Sequence, residues 1–273
     1  MSLPLLLCSS LFLAACATPL SNGRAQDMVP ASFSAAYSEL GMRLQLATAA
    51  KGDPCADFGC GYALAFDMQV LRLGSRLSKV AYDVYPDLRT RVEKFEIVVA
   101  DKFDPGATSS ANGKVVIYRG LSKLRLDEVS LAFVIAREMA QVIATHHDEN
   151  SAVSILFSVL SQVLLPVANL ARSAAAIIQA NTLTAATATT AASFAGSKLV
   201  KSNKQDEQSE EADAVALSLL DKLGWSPREV SDALTKAVRT PGGDAWLKDL
   251  YASVVRCGIL AERLQVVAHG TSP

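Results

Sequence analysis

The chain has 273 residues, with 26 Lys and Arg against 27 Asp and Glu and a formal net charge of −1. That balance excludes electrostatic steering toward nucleic acid and leaves no polybasic patch for an anionic membrane surface. Half of the residues are hydrophobic but only 6% are aromatic, so the apolar content is mostly Ala, Leu and Val, the composition of a helix-rich protein. The only histidines are His146, His147 and His269, which limits any histidine-based metal site.

Residues 1–15, MSLPLLLCSSLFLAA, form an apolar run too short to span a bilayer and ending in small residues, which reads as a signal peptide. Leu13-Ala14-Ala15-Cys16 then resembles the lipobox of bacterial lipoproteins, in which the cysteine is lipidated and becomes the mature N-terminus. No Lys or Arg precedes the apolar run, and an ordinary cleaved signal is the other reading. Ala17 after the cysteine favours the outer membrane, so the expected place is its periplasmic face, with the membrane as a partner through acyl chains on Cys16. Residues 16–30 read as a tether, 31–267 as a single domain and 268–273 as a tail.

Residues 31–50 show helical spacing at Phe33, Tyr37, Leu40, Leu44 and Leu46, and 62–85 read as a second long helix stopped by Pro86. Between them lies Cys55-Ala-Asp-Phe-Gly-Cys60. In an oxidising compartment this pair is expected as a small-loop disulfide, with free thiols or half of a metal site as alternatives; Cys257 stands apart. Residues 92–101 and 113–118 are strand-like and flank a Gly/Pro/Ser loop, which predicts a hairpin-like pair. Asp127 is placed to cap the helix that follows.

That helix dominates the chain. From 129 to 144 nearly every residue is apolar, so the segment is buried almost all round. Arg137, Glu138 and Gln141 break the pattern on one side of the helix and form a single polar wall. Their spacing is that of H-E-x-x-H, in which two histidines hold zinc and the glutamate activates a water. Glu138 keeps the general-base position, but Arg137 and Gln141 stand at the ligand positions, and neither is a plausible zinc ligand.

Beyond it, residues 151–197 carry one charge, Arg172. Residues 155–170 are apolar but interrupted by Gln162 and Pro166, which favours packed helices or a segment against the membrane surface over a transmembrane span. Residues 173–196 are Ala/Thr-rich and 198–211 densely charged and flexible, so 151–211 read as an insertion in the domain. Residues 212–223 form a helix ending at Gly224. Ser226-Pro227-Arg228-Glu229 is a capping box with Pro at the first helical position, and 244–267 form a last helix.

The order GKVVIYRGL, LAFVIAREMAQVIATHH, a long Ala-rich segment and then EEADAVALSLLDKLGWSP resembles the zinc metallopeptidase family of HtpX, the CAAX prenyl endopeptidases and BepA. The resemblance spans roughly residues 92–263. It implies an α+β, mostly α fold of the zincin type (the HExxH gluzincin kind), with a small β-sheet beside the central helix. Carried over residue by residue, the first and second ligands fall on Arg137 and Gln141, the base on Glu138 and a further histidine on His146. A retained second-shell Asp falls on Asp213, which puts the third ligand at Ser209; Glu210 or Glu211 would fit only with a shift that breaks the spacing. The family's C-terminal His-Pro becomes Cys257-Gly258, and its following Arg matches Arg263.

Glu138 and His146 are eight residues apart, about 12 Å along a continuous helix, too far to share one ion. His146, His147, Asp148 and Glu149 read as a solvated helix end rather than a weak metal site. The expectation is therefore no metal, with Glu138 vestigial, and a pseudoprotease that binds or chaperones proteins of the cell envelope. The alternative is an active metalloendopeptidase with an unorthodox site, using zinc if the family's activity is retained. In the first case Arg137 is expected to fill the metal's place and pair with Asp213, Glu138 or both, with Gln141 completing the network; the other reading has Arg137 pointing to solvent.

Overall fold

The computed structural model describes residues 30–53, 55, 59–150, 206–238 and 244–270, the side chains of 264–270 excepted. The signal, Cys16, most of the tether and the stretch 151–205 lie outside the described residues. The chain divides into two compact units, residues 1–37 with 147–205 and residues 38–146 with 206–273. Of the first, the described residues are 30–37 and 147–150, helical apart from Pro30. The second holds the sheet, the main core and the candidate site.

Helix α1 (Ala31–Thr48) enters the second unit at Ser38 and there places Met42 in a small cluster with Val116 and Tyr118. The disulfide Cys55–Cys60 follows, its Cα atoms 4.4 Å apart, and Cys257 is a buried free thiol. Helix α2 (Cys60–Val84) buries Ala63, Phe66, Val70, Leu73, Leu77 and Ala81, one stripe at helical spacing. Pro86 turns the chain into a 3₁₀ segment, Pro86–Thr90, because it cannot continue the α-helical ladder. Gly74 sits where α2 crosses the sheet: a Cβ there would lie 2.6 Å from Ile97 Cγ1, so any larger residue would push the layers apart.

The sheet has three strands, β1 (Glu96–Ala100), β2 (Ala107–Ser109) and β3 (Lys114–Tyr118), in the order β1-β3-β2. The expected hairpin between the first and last of these does not form, for β1 and β3 run parallel and β2 pairs antiparallel with β3. The cause is the Asn112-Gly113 turn, where Gly113 adopts φ +88° and its N–H donates to Ser110 O at 2.9 Å. That turn folds the segment just before it onto one edge of β3, which leaves the other edge for β1.

A second 3₁₀ segment, Arg119–Leu124, leads to helix α3 (Glu128–Ile143), whose first turn is capped by Asp127 accepting from the Ser130 N–H at 2.8 Å. Twelve of its sixteen residues are buried. It packs against α2, β2 and β3, and Phe133, Ile135 and Met139 are wholly inside; burying one such side chain stabilises the fold by about 1.5–3 kcal/mol. The helix stops short of residue 150: Ala144 and Thr145 form a turn, Thr145 at φ +60°, before helical backbone resumes at His146. Nothing in a β-branched residue signals that left-handed conformation.

Helix α4 (206–222) begins earlier than expected, since residues 206–211 are its opening turns rather than flexible chain. Ser226 and Glu229 form the predicted capping box at the head of α5 (Pro227–Ala237), and α6 (Ala245–Gly270) closes the chain. Helix α5 packs on α3 and α6, and Leu219, Leu220, Leu234 and Leu250 join Phe133 in one core. The fold is mostly helical with one small mixed sheet. Among the described residues no helix is long and apolar enough to cross a membrane.

Candidate functional site

The polar wall of α3 separates into three arrangements, because successive side chains leave a helix about 100° apart. Arg137 is 5% exposed. Its Nε donates to Asp213 Oδ1 on α4 at 2.9 Å and its Nη2 to Asp249 Oδ2 on α6 at 2.7 Å. The second oxygen of Asp213 accepts from Arg256 Nε at 2.6 Å, and Arg256 Nη2 donates to Ser253 Oγ at 2.9 Å and lies 3.9 Å from Asp249 Oδ1. Two guanidinium groups and two carboxylates thus alternate in a closed ring. Burial works against the charge on Arg137, but Asp213, then Asp249 and Glu138, outweigh it and hold the group protonated more firmly than usual.

Glu138 points elsewhere. It is 9% exposed, and the Ser109 hydroxyl on β2 donates to its Oε2 at 3.0 Å. Burial raises the pKa of its carboxyl; Arg137 and the Ser109 bond pull the other way, and Asp249 adds to the rise. Tyr118, on β3, is pushed up to about 12, by burial and then by the negative charge of Glu138.

Gln141 belongs to the third arrangement. Its Oε1 lies 3.0 Å from His146 Nδ1, and His146 Nε2 lies 3.0 Å from Glu211 Oε2 on α4. His146 is fully buried, so the solvated helix end expected there does not occur; Asp148 and Glu149 are buried too. The Thr145 turn is the reason, since it ends the helix and folds His146 back toward Gln141. The 12 Å helical rise between Glu138 and His146 therefore does not apply.

Arg137 and Asp213 pair as the sequence suggested, but no Glu138 bond joins them, and Gln141 engages His146 instead of completing the ring. Ser209 is buried one turn before Asp213 on α4. Sequence reasoning missed Asp249 and Arg256. A signal existed: Asp249, Ser253 and Arg256 recur at i, i+4 and i+7, one helix face, beside the buried stripe of Leu250, Val254 and Cys257. Arg263, matched instead, only approaches Glu210 at 3.9 Å on the exposed surface. Cys257, which the sequence resemblance aligns with the family's histidine, has its thiol pKa raised by burial and by nearby Asp213.

These residues do not fit zinc. Arg137, which the sequence resemblance puts at the first ligand position, is a guanidinium locked to two carboxylates and offers no lone pair, and the amide oxygen of Gln141, which the resemblance puts at the second, faces an imidazole. Among the described residues no three His, Cys, Asp or Glu side chains gather as a metal site. What the arrangement supplies is a charge-neutral lock among α3, α4 and α6, with one buried acid facing the sheet. No curated protein matches the chain. Peptidase family M48 matches over residues 72–264, well over half the chain, from the middle of α2 through the Arg256 end of the ring. With the zincin-like layering of helix and small sheet around Glu138, that match places the chain in peptidase family M48.

Proposed function

We propose that this metallopeptidase-like protein is a pseudoprotease: it keeps the M48 scaffold as a binding or chaperone-like module and does not hydrolyse peptides. The observation that carries this reading is the Arg137 guanidinium bound to Asp213 and Asp249 where the family places its first zinc ligand. A fixed cation there repels a divalent ion and occupies the carboxylate that would support a ligand histidine. Glu138 then has no metal-bound water to activate, and the bond from Ser109 keeps it as a structural acid.

The same reading places the protein at the periplasmic face of the outer membrane, anchored through Cys16, with envelope proteins as clients. The lipobox and the tether after it support this. Cys16→Ser should release the chain from membranes.

Zinc content of the purified protein, with casein as a test substrate, checks the central claim. The expected outcome is substoichiometric zinc and no cleavage above background. Stoichiometric zinc together with cleavage abolished by Glu138→Gln or Glu211→Gln would instead establish the active metalloendopeptidase.

A further inference from the structure

Helix α6 carries two stripes on opposite sides. One is its core face, with Leu250, Val254, Cys257 and Ala261 all buried. The other runs through Lys248, Ala252, Val255, Ile259 and Glu262, spaced by four, three, four and three residues. At about 100° per residue these five fall within an arc of about 80°, directly opposite Cys257. Lys248, Val255, Ile259 and Glu262 are exposed, Val255 at 52% and Ile259 at 46%. Such a strict alternation of fours and threes is the narrow seam of a coiled coil, not the wider stripe of a helix lying on a core. Between the seam and α5 the surface is concave, lined by Thr235, Val238, Tyr251, Val254, Val255 and Gly258.

The two ends of the seam carry opposite charges, and this selects an occupant. In two parallel copies Lys248 would face Lys248 and Glu262 would face Glu262. Turned antiparallel about a two-fold axis at Val255, the copies set each Lys248 against a Glu262, since both lie seven residues from the axis. Val255 then meets its own counterpart, and each large Ile259 enters the space left by a small Ala252. Arg263 falls beside Asp249 of the other copy. Arg256, the charge nearest the axis, is already met by Asp213 and Ser253. The exposed stripe on α2, Leu64, Met68 and Leu71, lacks this symmetry: Arg72, Arg76 and Lys79 follow it, and no carboxylate precedes it on that helix.

We infer that this face of α6 docks a second copy of the chain, antiparallel, in a two-fold dimer. A single helix pair lies at the small end of specific interfaces, so the dimer is reversible and depends on concentration. The inference is independent of whether the M48 site is active.

Sedimentation of the full-length chain tests it. Between about 1 and 100 µM the parent should pass from monomer to dimer; a monomer throughout overturns the inference and leaves the face to a different protein. Lys248→Glu sets Glu against Glu twice in each dimer and should raise the dissociation constant by at least about tenfold. Adding Glu262→Lys to the same chain restores opposite charges and should restore the dimer. A single variant that associates like the parent, or a double variant as weak as the single, overturns the inference. Both positions are exposed, so neither change should disturb the fold. On mild oxidation Val255→Cys should cross-link to itself, and Lys248→Cys only when mixed with Glu262→Cys. Self-cross-linking of Lys248→Cys would mean a parallel pair and would equally overturn it.

Discussion

Arg137 and Glu138 are neighbours in sequence, equally enclosed, and electrostatically opposite in outcome. Arg137 faces two helices that each bring a carboxylate, and it is held in its charged form. Glu138 faces the sheet, which brings a hydroxyl, and burial raises its pKa above the ordinary value. An interior charge survives where other elements supply opposite charges at bonding distance; where they supply a single dipole, the group drifts toward neutrality. The difference lies in what crosses each face of α3, since the helix backbone is the same for both.

The sharpest way to break this contrast is Arg137→Ala. Asp213, wholly buried, would keep only Arg256, and Asp249 would lose its close partner. Chemical denaturation should show a loss of about 3–5 kcal/mol; a variant that unfolds like the parent would mean that the ring is not a lock. His146→Ala comes next, at roughly 2–3 kcal/mol, because Gln141 and Glu211 each lose the ring nitrogen they face. Asp249→Asn should cost less, about 1 kcal/mol, since that carboxylate is a third exposed and solvent replaces part of what is lost.

The smallest expected effect has the opposite sign. In the folded protein the Glu138 pKa lies above its ordinary value of 4.5. Stability from that group is therefore complete below the unfolded value and is lost as pH rises through the folded one. Glu138→Gln removes the loss, so it should melt like the parent in acid and above the parent at neutral pH. A gain that appears at low pH and vanishes at neutral pH would mean that the Glu138 charge is stabilised instead.

Much of this was legible in the chain. The burial of α3, its Asp127 cap and the capping box at Ser226 are local features, each set by residues within a turn or two. The pairing of Arg137 with Asp213 followed from the family spacing and from the cost of leaving either alone. Other features were settled by tertiary context. The three residues of β2 carry too little pattern to read as a strand, and the parallel pairing of β1 depends on which edge of β3 they occupy. Thr145 takes a left-handed conformation that its side chain disfavours, and the position of His146 hangs on that one dihedral. Asp249 and Arg256 did show a periodic face, hidden by attention to the family's C-terminal positions.

The ring around Arg137 also bears on how the protein responds to its medium. Its two positive and two negative groups cancel, so at a distance it casts almost no field, and mobile ions have little to screen. Surface pairs such as Arg43 with Glu39 or Arg72 with Glu128 stand in water, with the arginines 73% and 60% exposed. At 1 M salt the screening length shrinks to about 3 Å and such pairs fade. The tie among α3, α4 and α6 should persist, which would keep this part of the fold indifferent to swings in ionic strength.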